Sequence, residues 1–451
     1  MQFDENKYSA LLEKIFSLTP SVQSVGFTGG AYKPGLEAMR KFDARLGHPW
    51  KQYPCIHIAG TNGKGSVASM LASAFASRLK AGLYTSPHLT DFRERMKVIS
   101  NDGFYMPSKE EVWEFFQEHD VSGLSFFEIT TGLAFWWFAK QKIDIAIIEA
   151  GLGGRLDSTN IITPELTIIT SIGLDHCALL GDTRAAIARE KAGIFKRGVT
   201  AIVASTDNET SNVFREASGA AGCPLIFADT VSSGFDEEAL LSKMDLQGPC
   251  QSTNLHTALI AFTSGIKSGT DSLRPTPPLE GNASCNHLKI AQALKDIPVS
   301  EIEKAIEKTA ERTGLRGRWE RLSKEPEIIC DIGHNPPALE INFARLQNQG
   351  KPLTIICGFM ADKDLDGIAR LLPSKAKYIL SAPDIPRALP ADKLLQKLSS
   401  LRPDLSLTTA PTIAEGISQA IAESPENGLI YIGGSSFVVT EALEYFKARP
   451  K

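Results

Sequence analysis

The sequence of 451 residues predicts an α/β protein built from two parallel-sheet domains. Three observations predict it. Strand-length apolar runs alternate with helix-length amphipathic stretches, this texture occurs once early and once late, and a glycine-rich loop lies at the first strand-to-helix turn. Repeated βα alternation implies a parallel sheet with helices on both faces, and ligands then bind at the carboxyl ends of the strands. The expected fold class is a phosphate-loop-containing, parallel-sheet domain of the ATPase kind followed by a smaller Rossmann-like α/β domain.

Taken in order, Pro54 to Ala59 reads as a buried strand, and "KGSVASMLASAFASRL" after it has helical spacing. A helix around "TGLAFWWFAKQ" precedes the strand "IDIAIIEA", and "LTIITSI" and "VTAIVAS" complete the first series. The second series is "EIICDI", "LTIICGF", "YILSAP" and "LIYIGG", separated by helices such as "ADKLLQKLSSL". Residues 264–289 are rich in Ser, Gly, Pro and Asn and read as an exposed loop. The glycines of "ERTGLRGRWE", residues 311–320, interrupt a helical pattern just before the second series. The boundary is therefore placed near residue 312, giving domains 1–312 and 313–451. No short-period repeat is present, which excludes a solenoid.

With 43% hydrophobic and 22% charged residues the composition is that of a folded globular protein, which excludes a disordered chain. A formal net charge of -4 argues against a broad electrostatic grip on nucleic acid and favours small-molecule partners. The opening "MQFDENKYSALLEKIF" has no basic segment leading into an apolar one, and no apolar run is long enough to cross a bilayer. The seven cysteines are scattered without a CxxC pair, so reduced core thiols in a cytoplasmic protein are expected.

"HIAGTNGKGSVASML", residues 57–71, carries the first chemistry. Glycines between a strand and a helix let backbone N–H groups converge on phosphate oxygens, and the helix N-terminus adds partial positive charge. Gly60, Thr61, Asn62, Gly63, Lys64, Gly65 and Ser66 form the expected nucleotide loop, with Lys64 as the charge for the terminal phosphates. Gly65 displaces the hydroxyl by one place from the usual Gly-Lys-Ser/Thr spelling, so Ser66 is the residue available to a magnesium ion. A glycine turn that merely packs a helix on a strand is the competing reading.

In "IDIAIIEAGLGGRLDSTN" a dinucleotide fingerprint fails, because Leu156 stands at the third glycine position. Glu149 ends an otherwise apolar strand, either as a solvated acid or as the partner of a divalent cation. "TSIGLDHCALLGDTRAAIAREKAGIFK" supplies Asp175, His176 and Lys191, readable as a core histidine and a solvated lysine or as members of the same site. In the second series Asp331, His334 and Asn335 follow a strand, and Asn335 with the prolines after it reads as a helix cap. "GFMADKD" and "GGSS" lie at two further strand ends.

Together these stretches resemble the folylpolyglutamate synthase and dihydrofolate synthase family, within the wider Mur ligase superfamily. The resemblance spans nearly the whole chain. It rests on "AYKPGLEAMRKFDARLGHP", "HIAGTNGKGS", "LYTSPHLTDFRER", "EAGLGGRLDSTN", "SIGLDH", "REKAGIFK", "GRWERL", "DIGHNP", "DKD" and "GGSS". It implies an ATP-dependent amide ligase that transfers the γ-phosphate to a substrate carboxylate, after which the amino group of glutamate displaces phosphate from the acyl phosphate.

The resemblance gives Lys64 to the β- and γ-phosphates, Ser66 and Glu149 to a first Mg2+ ion and His176 to a second. Lys191 matches a lysine that is often carbamylated in the superfamily. Asn254, Arg318 and Asp331 match the nucleotide site, and His334 and Ser435 match positions associated with the incoming glutamate. The implied catalytic set is Lys64, Glu149, His176, Lys191 and His334, with closure about the hinge near residue 312 joining the two halves. The implied partners are ATP, L-glutamate and a pteroyl or folate compound, with no nucleic acid, no membrane and a monomeric chain. "DIGHNP" departs from the commoner Asp-Gly-Ala-His-Asn-Pro, and "GGSSF" stands where Thr-Gly-Ser-Leu-Tyr is usual.

Three other readings compete. A ligase for a nucleotide-linked cell-wall precursor would need a further N-terminal domain, whereas the phosphate loop here is reached by residue 60. A non-catalytic nucleotide-binding protein would not need Glu149, His176 and Lys191. A simple phosphate-loop kinase would leave "DIGHNP" and "GGSS" without a purpose.

Overall fold

The computed structural model describes residues 3–20, 35–270, 290 and 292–448. Residues 31–34 of the first family-like motif, Cys285 and residues 271–289 of the expected loop lie outside the described residues. The chain divides into two compact units, Met1–Asp245 with Gln251–Leu315, and Leu246–Cys250 with Arg316–Lys451.

The first unit contains β1 (Cys55–Ala59), β2 (Ala81–Tyr84), β3 (Met96–Ser100), β4 (Gly103–Tyr105), β5 (Ile145–Glu149), β6 (Leu166–Ile169), β7 (Thr200–Val203) and β8 (Leu225–Phe227). They form one sheet in the order β4-β3-β2-β5-β1-β6-β7-β8. From β2 to β8 every pairing is parallel, with Ile58 opposite Glu149 and Ala59 opposite Ile169. Every residue of β1, β5 and β6 is buried, as expected of central strands covered on both faces.

The helix Lys64–Phe75 is built largely of Ala, Ser, Gly and Met and is buried along nearly its whole length. Those small side chains let it lie between the sheet and the long helix Gln251–Thr270, where Phe75 meets Phe262 with ring centroids 4.9 Å apart. On another part of the unit, the helix Phe126–Lys140 opens with a capping box between Ser125 and Glu128 and buries Phe135, Trp137 and Phe138.

The second unit holds β9 (Glu320–Ser323), β10 (Glu327–Cys330), β11 (Leu353–Cys357), β12 (Lys377–Leu380), β13 (Ser406–Thr409) and β14 (Leu429–Gly433). Their order is β13-β12-β11-β14-β10-β9, parallel except for β9 against β10.

The expected parallel sheets carry antiparallel edges: β3 and β4 form a hairpin at one edge of the first, and β9 is an antiparallel edge of the second. In β3 a lysine hid the strand pattern: Lys97 is buried because its ammonium donates to the carbonyls of Thr313 at 2.9 Å and Gly314 at 3.2 Å. The Phe104 ring centroid lies 5.2 Å from the same ammonium. The expected loop also begins later than residue 264, since the helix Gln251–Thr270 runs through its first residues. Among the described residues no helix is long and apolar enough to cross a membrane, and the six described cysteines are free thiols.

Gly132 lies inside the helix Phe126–Lys140, and a Cβ there would come within 2.3 Å of the buried Phe42 ring. Gly132→Ala is expected to destabilise the fold by about 1–3 kcal/mol through overpacking, partly offset by the ~1 kcal/mol that Ala gains over Gly in a helix. Urea denaturation followed by tryptophan fluorescence measures it, and an unchanged or higher midpoint would contradict the packing argument.

Candidate active site

The phosphate-loop sequence folds as a loop because two glycines take backbone angles that other residues resist, φ 152° at Gly60 and 89° at Gly63. At Gly60 there is also no room for a side chain, since a Cβ would stand 1.8 Å from Thr170 Oγ1. The loop is tied to the segment after β6. Thr61 N–H donates to the Ser171 carbonyl at 2.7 Å, Asn62 N–H to Ser171 Oγ at 3.0 Å, and Thr170 Oγ1 to the Asn62 carbonyl at 2.7 Å. The helix from Lys64 carries no side-chain cap at its N-terminus. Gly65 and Ser66 lie in its buried first turn.

Lys64 bends back over this loop, with Nζ donating to the carbonyls of Gly60 at 3.1 Å and Thr61 at 3.2 Å. It lies 3.9 Å from Glu149 Oε1, an ion pair whose acid is only 3% exposed. The other oxygen of Glu149 accepts the Ser86 N–H at 3.1 Å. Ser86 therefore belongs to the site, at the end of β2, although its motif alone assigned it no role. Arg95 is buried nearby, its Nε donating to His88 Nδ1 at 2.9 Å. That bond leaves His88 neutral, and burial followed by the Arg95 charge pushes its imidazole down to about 3.

Lys191 is buried and donates to the same Gly60 carbonyl at 2.8 Å, so the solvated-lysine reading is excluded. Its helix Arg184–Ala192 is locked against the loop after β5. Arg155 N–H donates to the Glu190 carbonyl at 2.9 Å, and Asn160 Nδ2 to the Gly193 carbonyl at 3.0 Å. A Cβ at Gly154 would stand 2.7 Å from the Lys191 carbonyl. Underneath, Asp157 accepts from the Leu152 and Thr159 N–H groups at 2.8 and 3.0 Å. Thr159 Oγ1 donates to Asp157 at 2.5 Å and accepts from His57 Nε2 at 2.8 Å. Burial drives His57 down to about 3 and so keeps it neutral, and its bond to Thr159 Oγ1 puts the proton on Nε2, with Nδ1 unbonded.

Asn254, on the helix Gln251–Thr270, covers Gly63 so closely that a Cβ on that glycine would lie 2.3 Å from Asn254 Oδ1. His176 sits in a left-handed conformation, φ 53°, with Nε2 3.8 Å from Asp175 Oδ2. Among the described residues no group of three or more His, Cys, Asp and Glu side chains is arranged to hold a metal ion. An ion here would depend on hydroxyls, phosphate oxygens and water as well as on Glu149.

In the second unit Asn335 caps the helix Pro336–Asn348 through the Ala338 N–H at 3.1 Å, as its sequence predicts. His334 Nδ1 donates to the Ile332 carbonyl at 3.0 Å, which assigns its proton to Nδ1. Ser435 is buried and caps the helix Ser436–Lys447 through the Val438 N–H at 3.1 Å. Asp331 accepts from Trp319 N–H, Gly333 N–H and Asn342 Nδ2, each at 2.8 Å, and Arg318 precedes that tryptophan. Ile332 replaces the usual glycine without a positive φ.

Residues 58–259 match the Mur ligase middle domain, and residues 317–436 match the glutamate ligase domain of Mur ligases. The chain is 31% identical to the Escherichia coli dihydrofolate synthase/folylpolyglutamate synthase, covering 92% of each chain. It is 33% identical to the Lacticaseibacillus casei folylpolyglutamate synthase over 76% of this chain and 80% of that one. The chain belongs to the folylpolyglutamate synthase/dihydrofolate synthase family of Mur ligases. The structure of E. coli FolC in complex with DHPP and ADP superposes on this family member with a TM-score of 0.76, at 26% identity and 98% coverage of both chains.

Two family motifs hold more than their sequence revealed. "TSPHL" brings Ser86 to Glu149, and "GLGGRLDSTN" carries the Asp157 and Thr159 anchor beneath His57. The signal was a run of small polar residues after a strand, whose partners lie on other strands. Phe126 is buried with the Arg95 guanidinium 5.1 Å from its ring centroid, while Phe127 is half-buried over Gly151.

Burial, then the Lys64 charge, pushes Lys191 from 10.5 to about 7. Between those values the unfolded chain binds a proton that the folded chain does not, so this group makes stability rise with pH across the window. Lys191→Met is expected to flatten stability against pH from about 7 to 10, measured by thermal melts. A slope equal to that of the wild type would contradict the assignment.

Proposed function

We propose that this ligase joins the amino group of L-glutamate to a carboxylate of dihydropteroate, of folates already bearing glutamate, or of both. The γ-phosphoryl group of ATP passes to a carboxylate oxygen and ADP leaves. The glutamate amine then attacks the activated carbonyl, inorganic phosphate departs with the C–O bond, and loss of a proton from nitrogen completes the amide. Activation is necessary because a carboxylate oxygen is too poor a leaving group for an amine to displace.

The observation that carries this reading is the meeting of Lys64 and Lys191 on the Gly60 carbonyl beside buried Glu149. Two lysines converging on one loop carbonyl suit an anionic ligand, and the uncapped helix start favours phosphate. On this reading phosphate oxygens take over the Lys64 donors from the loop carbonyls, while Asn254 covers the loop and Arg318 and Asp331 contact nucleotide. His334 serves the glutamate amine, and the Ser435 hydroxyl serves its carboxylate. The solved relatives support the assignment, one holding DHPP and ADP and another Mn, AMPPNP and L-glutamate.

Magnesium fits Glu149, because that ion combines one or two carboxylates with phosphates and water rather than a full protein cage. Ser66 and Ser86 are the hydroxyl side chains that would share it, and His176 would hold a second ion. When bound, magnesium supplies neutralisation of phosphate charge during phosphoryl transfer. The partners on this reading are small molecules alone, with neither nucleic acid nor membrane, and the chain acts as a cytoplasmic monomer.

Carbamylation of Lys191 belongs to the same proposal. A lysine brought to about 7 has the free amine that adds to carbon dioxide, giving a carbamate and releasing a proton. The product would place an anion near Lys64 in place of the amine. With 13C-labelled carbon dioxide, a carbamate resonance is expected in the native chain and not in Lys191→Met; no such resonance in the native chain would remove this part of the proposal.

The deciding experiment is phosphate release from ATP and magnesium with glutamate, comparing dihydropteroate, tetrahydrofolate and no acceptor, with product masses read in parallel. Release with a gain of one glutamate is expected with at least one acceptor, and the pattern identifies which activities are present. Lys64→Ala is expected to abolish release while the circular dichroism spectrum stays native. Release without a gain in acceptor mass would overturn the ligase reading for these acceptors.

A further inference from the structure

We infer that Asn342 is a positioning residue for nucleotide binding: by fixing the Asp331 carboxylate it sets the backbone that presents Arg318. The inference rests on the proposed assignment of Arg318 and Asp331 to the nucleotide.

Asn342 lies on the helix Pro336–Asn348 and is 4% exposed, a buried amide in a helix whose neighbours Leu339, Phe343 and Leu346 are apolar. Its Nδ2 donates to Asp331 Oδ1 at 2.8 Å and to the hydroxyl of buried Tyr431 at 3.1 Å. Both hydrogens of one nitrogen are thereby used, and no aliphatic or acidic side chain of this size can do the same.

A carboxylate offers about four acceptor positions, two on each oxygen. Asp331 Oδ1 accepts from Asn342 and from the Gly333 N–H, and Oδ2 accepts from the Trp319 N–H. The remaining position is on Oδ2, which is where a ligand hydroxyl would bind. Without Asn342 the carboxylate keeps only the Gly333 and Trp319 N–H donors, one on each oxygen, and its rotation and the direction of Oδ2 are less firmly held.

Trp319 is the second link. It stands at φ 52°, a conformation costly for a residue with a large side chain, and its N–H bond to Asp331 helps to hold it there. The Arg345 guanidinium lies 4.7 Å from the indole centroid, and the Tyr431 ring centroid is 6.2 Å away. On the other side of Arg318, the Gly317 carbonyl accepts the Ile332 N–H at 3.0 Å. The main chain around Arg318 is therefore pinned at both neighbours to the segment that begins at Asp331.

The test measures KM for ATP, KM for glutamate and kcat in the full chain carrying Asn342→Leu, Tyr431→Phe or Arg318→Ala. Asn342→Leu is expected to raise KM for ATP about tenfold, the scale of one hydrogen bond to a charged group. Its kcat at saturating ATP and its KM for glutamate should stay within about twofold, which a general loss of structure would not produce. Tyr431→Phe, which removes only the hydroxyl that steers the amide, should move KM for ATP in the same direction by less.

A folded Asn342→Leu protein with native KM for ATP, alongside an Arg318→Ala protein in which that KM rises, would overturn the positioning role. An Arg318→Ala protein with native KM for ATP would instead overturn the nucleotide assignment beneath it. If Asn342→Leu does not fold, Tyr431→Phe decides: a selective rise in KM for ATP supports the inference, and native behaviour overturns it.

Discussion

Two lysine ammonium groups donate to one backbone oxygen, the Gly60 carbonyl, and much of the first unit can be understood from that crowding. Burial first, and then repulsion from the Lys64 charge, lowers Lys191 to about 7, so the second proton is held weakly there. Glu149 offsets part of the charge through Lys64, and Asp175 and Asp157 favour the charged form of Lys191 more weakly than burial opposes it. A bound polyphosphate would balance the excess.

Holding that arrangement requires rigid surroundings, and the rigidity is polar rather than apolar. The phosphate loop is tied by Thr61, Asn62, Thr170 and Ser171, and the Lys191 helix by Arg155 and Asn160. Beneath them, His57, Thr159 and Asp157 form a buried chain in which each proton position follows from the next. Such networks restrict loops to one conformation because an unmatched donor or acceptor costs more than a matched one gains. The second unit uses the same device, with Asp331 collecting donors from three segments.

How far the site was legible depended on whether a residue's function is local. Gly60, Gly63 and Lys64 act within one turn, so spacing alone identified them. Asn335 was equally plain, because a cap and the helix it caps are adjacent in sequence. Glu149 and Lys191 were visible as candidates but balanced against ordinary roles, and only their contacts with Lys64 and Gly60 separate the alternatives. Ser86 and Thr159 had no comparable signal, since their partners Glu149 and His57 lie on other strands.

The sequence by itself determined the two βα series, the strand-to-helix phosphate loop and the family, because apolar periodicity, glycine conformation and motif spelling are properties of short stretches. Tertiary structure decided the rest. It placed antiparallel edges at β3, β4 and β9, where charged residues interrupt β3 and β9 and β4 is only three residues long. It buried Lys97 against helix-end carbonyls and brought Lys191 to Gly60 across 131 positions of chain. Those outcomes depend on desolvation and on hydrogen-bond partners distant in sequence, which no local pattern encodes.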